Sequence, residues 1–150
     1  MTKVRDEMVL QDRRMKGVVM ESKDLDVENI IARIKKAEGF ERVKFIILYG
    51  SAVRGEMRET SDIDLCIYYD GNMEEASEFR FMVLSELFED AYDVHIFQQL
   101  PLYIRMGVLK GRILYCRDKR SIYDVAFETI KEFENFKHRF YDYIGKEAMA

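Results

Sequence analysis

Asp62 and Asp64, two residues apart, open the run Asp62-Ile63-Asp64-Leu65-Cys66-Ile67-Tyr68-Tyr69. The run is rich in β-branched and aromatic residues and is closed by Asp70-Gly71, so it reads as a strand. Alternate residues of a strand share a face, which sends both carboxylates to one side. Two anions this close repel each other unless a cation lies between them. Read as an all-oxygen ligand set, the pair suits a hard ion such as Mg²⁺, shared with the phosphates of a substrate. A third acid, Asp93, stands in Tyr92-Asp93-Val94-His95-Ile96-Phe97. If that strand lies beside the Asp62 strand, Asp93 joins the pair, can help hold a second ion, and can take a proton from an attacking hydroxyl. His95 shares the Asp93 face, and a lone strand histidine is read as structural.

Upstream, Gly50-Ser51 ends the apolar run Val43-Lys44-Phe45-Ile46-Ile47-Leu48-Tyr49. Glycine lets the backbone approach a ligand closely, and a helical turn starting at Ser51 would aim free N–H groups at an anion. Arg54 follows, where a planar guanidinium can reach a phosphate or lock the loop through a salt bridge.

These groups need a frame. Val43–Tyr49 is too short for a helix and reads as a buried strand, with 62–69, 92–97 and 112–116 as three more. Val27, Ile30, Ile31 and Ile34 recur at helical spacing over 26–38, and Gly39 stops that helix. Asn72 caps a second helix over 74–89, with Phe79, Met82, Val83, Leu87 and Phe88 on its inner side. A short helix follows Pro101, the single proline. Over 119–144 a long helix carries Ile122, Val125, Ile130, Phe133, Phe136 and Phe140, an aromatic stripe suited to core or partner packing. The first twenty residues have no assignment. The expected fold is α+β, a mixed sheet of about four strands flanked by helices. The segment 50–61 is too short for a parallel crossover, so part of the sheet is antiparallel.

The 150 residues fit one domain, with a core over about 24–116 and the helix beyond it. A hydrophobic fraction of 48% and a charged fraction of 35% place the chain among globular proteins. A net charge of −4 lacks the basic field that long nucleic acid requires, which argues against a processive polymerase. No apolar run spans a bilayer, and 1–12 has no apolar signal region, so a cytoplasmic location is expected and no membrane is. Cys66 and Cys116 form no metal-binding pattern and read as small buried hydrophobes.

Ten residues separate Gly50-Ser51 from Asp62-x-Asp64 in the segment GSAVRGEMRETSDIDL. That segment, with DVHIF and LPLYIRMGVLKGRILY downstream, resembles the minimal nucleotidyltransferase branch of the DNA polymerase β-like nucleotidyltransferase superfamily, over about Phe45 to Cys116. The resemblance implies a fold built around this sheet. It implies that Gly50 and Ser51 hold a triphosphate, with Arg54 beside them. It further implies that Asp62, Asp64 and Asp93 bind two Mg²⁺ ions, Asp93 helping to activate the acceptor. The implied reaction transfers a nucleoside monophosphate, AMP from ATP being the family's commonest case, onto a hydroxyl.

Small proteins of this branch resemble the antitoxin half of pairs with HEPN-type toxins. The acceptor implied is a tyrosine of such a toxin, and homo-oligomers also fit. A second reading is neutralisation of the partner by docking alone through the aromatic helix. A third is transfer to a small molecule, though those relatives usually add a helical acceptor domain for which 150 residues leave little room.

Overall fold

In the computed structural model the structure describes residues 26–50, 63–87 and 92–149. Among them a four-stranded sheet runs in the order β3-β2-β1-β4, with β1 at Val43–Tyr49, β2 at Ile63–Tyr69, β3 at Tyr92–Ile96 and β4 at Arg112–Cys116. β1 pairs antiparallel with β2 and with β4, whereas β2 and β3 are parallel. The sheet is therefore mixed, as the short segment after Gly50 requires.

Helix α1, Val27–Ile34, is capped by the Asp26 carboxylate, which accepts from the Asn29 N–H. It ends earlier than the apolar spacing suggests. Lys36 and Ala37 donate to carbonyls three residues back, and Gly39 turns the chain at a φ of 96°. Helix α2, Met73–Glu86, begins with a reciprocal cap: Asn72 accepts from the Glu75 N–H and Glu75 accepts from the Asn72 N–H. Ala76, Phe79, Val83 and the following Leu87 form its buried stripe. Met82, expected on that side, faces solvent because it falls off the stripe, and Phe88 lies outside the described residues. A short helix α3, Leu102–Val108, leads into β4, and α4 runs over Lys119–Met149.

The sheet's two faces bury different clusters. Ile46, Leu48, Leu65, Ile67, Val94 and Ile96 point toward α1 and α2. Phe45, Ile47 and Cys66 point the other way, onto Phe97, Val108 of α3 and Ile122 of α4. Alternation along each strand therefore places Tyr49, Asp64, Asp93 and His95 on the second face. Gln98 extends the β2–β3 edge by side chain alone, its amide donating to the Tyr69 carbonyl and accepting from the Tyr69 N–H.

Only the first turns of α4 belong to the core: Ile122 and Thr129 are buried. Thr129 closes its hydroxyl on the Val125 carbonyl. The seam Ile122, Ala126, Thr129, Phe133, Phe136, Phe140, Tyr143 keeps 4–3 spacing along the helix. Its far half is largely uncovered, with Phe136, Phe140 and Tyr143 exposed. No helix among the described residues is long and apolar enough to cross a membrane.

Candidate active site

β1 ends where β2 and β3 begin, and the polar groups gather at that corner. Tyr49 pairs in register with Asp64 across β1–β2, and Asp64 pairs with Asp93 across the parallel β2–β3 ladder. Neighbouring strands lie about 4.8 Å apart, so side chains at matched register on one face meet directly. Buried Val94 and Ile96 hold β3 in that register by anchoring its other face. A slip of one residue would turn Asp93 into the core.

Gly50 closes the corner. Its φ of 83° lies in the left-handed region that glycine alone enters cheaply. A Cβ built there would stand 2.5 Å from Asp64 Oδ2, so the carboxylate occupies the space a side chain would fill. The sequence singled out this glycine for close approach to a ligand, and the structure adds that it makes room for Asp64.

The third member is a histidine. His95 Nε2 lies 2.9 Å from Asp93 Oδ2, and one donor atom from each of Asp64, Asp93 and His95 falls within 4.8 Å of the other two. Around one octahedral ion with bonds near 2.1 Å, adjacent donors sit about 3.0 Å apart and opposite donors about 4.2 Å apart. These residues thus fit a divalent cation. The all-oxygen description drawn from sequence is incomplete, because an imidazole stands among the carboxylates. The signal that could have included it was present: a histidine two positions after an aspartate in a strand shares that aspartate's face.

Tyr49 was not singled out by sequence either. Its ring meets the His95 ring edge-on, centroids 6.3 Å apart at 64°. Burial above all pushes the Tyr49 phenol well above its ordinary range, and the neighbouring Asp64 and Asp93 carboxylates push it the same way. At neutral pH it is an O–H donor at the edge of the cluster. Beneath it Cys66 is fully buried, and burial pushes its thiol up, so it stays neutral and packs as a small apolar group. Of the residues expected from sequence, Gly50, Asp64 and Asp93 come together here. Ser51, Arg54 and Asp62 lie outside the described residues.

A family model for the polymerase beta nucleotidyltransferase domain matches residues 28–120, from α1 to the start of α4. The chain belongs to that family. It is accordingly a nucleotidyltransferase, and the family match extends beyond the 45–116 stretch that carries the motif resemblance. A Methanocaldococcus jannaschii protein assigned to the protein adenylyltransferases is 28% identical over 95 residues, covering 63% of this chain and 72% of that one.

Solved structures share the fold. A chain of a toxin–antitoxin complex with AMP-PNP superposes with a TM-score of 0.65 at 19% identity, over 84% of this chain and all of that one. A chain from the complex of a tri-AMPylated Shewanella oneidensis HEPN toxin with its MNT antitoxin gives a TM-score of 0.56 at 16% identity, over 83% and 96%.

Proposed function

We propose that this domain transfers AMP from ATP to a hydroxyl of a protein acceptor, a tyrosine of a HEPN-type partner, with two Mg²⁺ ions held by Asp62, Asp64 and Asp93. The observation that carries the reading is the register match of Asp64 and Asp93 on neighbouring parallel strands beside Gly50. Family membership supports nucleotidyl transfer, and the M. jannaschii relative and the AMPylated toxin of the Shewanella complex favour a protein acceptor.

In this mechanism Gly50 and Ser51 offer backbone N–H groups to the triphosphate, and Arg54 steadies it. Asp93 accepts the proton of the acceptor hydroxyl. The oxygen forms its bond to the α-phosphorus in line with the breaking bond, and pyrophosphate leaves. Metal ions held by Asp62, Asp64 and Asp93 would supply neutralisation of the charge that gathers on the entering and leaving oxygens. Tyr49 keeps its proton and packs its ring edge-on against His95 beside the carboxylates.

Titration calorimetry with a non-hydrolysable ATP analogue, with and without Mg²⁺, tests the site beside Asp64→Asn. Metal-dependent binding that disappears in the variant supports the reading. Equal binding in both proteins removes Asp64 from the site. Turnover in the variant is expected to fall by at least about a hundredfold, the loss of a few kcal/mol of transition-state stabilisation.

The exposed far half of α4 favours a second role for the same chain, docking onto the partner. Deleting the helix from its start would uncover the core at Ile122 and Thr129, so truncation is the wrong probe. The double variant Phe136→Asp, Phe140→Asp is expected to keep stability within about 0.5 kcal/mol, as exposed positions do. Partner affinity measured by calorimetry should fall at least tenfold. Unchanged affinity removes this face from the interface.

A further inference from the structure

The described part of the site contains a donor that the carboxylate mechanism leaves without a task. His95 projects from the same strand face as Asp93, two residues on, and its Nε2 reaches Asp93 Oδ2 at 2.9 Å. A surface contact between two half-exposed side chains would account for that distance alone, and such contacts contribute little. The Asp64 carboxylate reaches the same place from the neighbouring strand, with one donor atom from each of the three residues within 4.8 Å of the others. The separation of Nε2 from Oδ2 is the spacing of two adjacent ligands on one ion, about 3.0 Å. The imidazole is also braced, since Tyr49 lies edge-on against it.

We infer that His95 supplies a nitrogen ligand to the metal site formed by Asp64 and Asp93, so that the site takes first-row transition ions such as Mn²⁺ in preference to Mg²⁺. The inference rests on the metal-site reading above and deepens it. Imidazole is a softer donor than carboxylate or water, and Mg²⁺ gives up its water shell for nitrogen reluctantly. A nitrogen donor therefore raises affinity for a transition ion and adds little for Mg²⁺. Replacing one carboxylate oxygen by a neutral nitrogen also lowers the negative charge around the ion, which further weakens the hold on Mg²⁺ relative to an all-carboxylate set.

The test uses the full chain without nucleotide, titrated with Mn²⁺ and followed by electron paramagnetic resonance. Pulsed measurement on the bound ion should reveal modulation from a directly coordinated ¹⁴N. His95→Gln keeps an N–H donor for Asp93 but removes the imidazole, and its fold is checked by circular dichroism. It should lose the ¹⁴N modulation and bind Mn²⁺ at least roughly tenfold more weakly. Its Mg²⁺ affinity, measured by competition, should stay within about threefold of the wild type, since oxygen ligands dominate that ion. Bound Mn²⁺ without ¹⁴N modulation in the wild-type protein overturns the inference and leaves the carboxylate site standing. An equal fall in both affinities in His95→Gln also overturns it, because His95 would then only orient Asp93. If neither ion binds, and Asp64→Asn is indistinguishable from wild type, the metal-site reading itself fails.

Discussion

Gly50→Ala separates what the fold needs at the corner of the sheet from what the chemistry needs. At a φ of 83° an alanine would sit in the left-handed region, at a cost of about 1–2 kcal/mol. About 0.4–1 kcal/mol returns because alanine has less freedom than glycine in the unfolded chain. The net loss is about 1 kcal/mol, or roughly 2–4 °C in melting temperature for a domain of this size. The effect on the site is larger. The new Cβ would stand 2.5 Å from Asp64 Oδ2, where ordinary contact begins at 3.4 Å, so the carboxylate must retreat by about 1 Å. A displacement of that size can lower turnover by about a hundredfold.

The assay is paired: chemical denaturation for stability, and the nucleotidyl transfer proposed above for turnover, with calorimetry of the ATP analogue as a second readout. Gly107→Ala is the control. That glycine lies in α3 with nothing within 4 Å of an added Cβ, so it should gain about 0.5–1 kcal/mol and leave turnover alone. Turnover in Gly50→Ala within fivefold of wild type would refute the reasoning that Asp64 is held where a side chain would be.

Asn72→Ala removes half of the reciprocal cap on α2 and should cost about 1 kcal/mol in thermal or denaturant unfolding. Glu75 carries the other half. The Asn72 backbone N–H, and after it Arg42, hold its carboxyl below the usual range. A depressed folded value means that its stabilisation is present above the ordinary carboxylate range and lost as pH falls through the lowered value. Glu75→Gln should therefore narrow the drop in denaturant midpoint between neutral and acid pH, and an unchanged drop would count against that linkage.

Strong local patterns made much of the frame legible. β1 and β4 have the bounds that their apolar runs suggest, and Asn72 acts as the cap its residue type implies, whereas α1 ends at Ile34, before the Gly39 expected to stop it. Met82 misled because a helical stripe of fixed period admits several neighbours, and only packing against the sheet chose Phe79 and Val83. The α4 stripe was visible, but sequence could not divide it between core and surface; among the described residues its full burial ends at Thr129.

At the site, Asp64 and Asp93 were expected to meet only if their strands adjoined, a question of topology that spacing alone does not answer. The parallel β2–β3 pairing answers it. His95 was set aside on its residue type, although it shares a strand face with Asp93, and the structure brings its Nε2 to 2.9 Å from Asp93 Oδ2.

That parallel pairing also bears on the order of events in folding. Asp64 and Asp93 are far apart along the chain, with α2 between them, and the ladder that aligns them forms only when the whole crossover closes. Such non-local contacts are slow to form because loop entropy is lost before they repay it. The antiparallel β1–β2 pair spans a shorter stretch and can precede it. The two carboxylates thus acquire each other late, and a cation bound between them would act as a clasp on the crossover. It should slow unfolding far more than it speeds folding, so stopped-flow traces with and without metal would record when in the folding reaction the site comes into being.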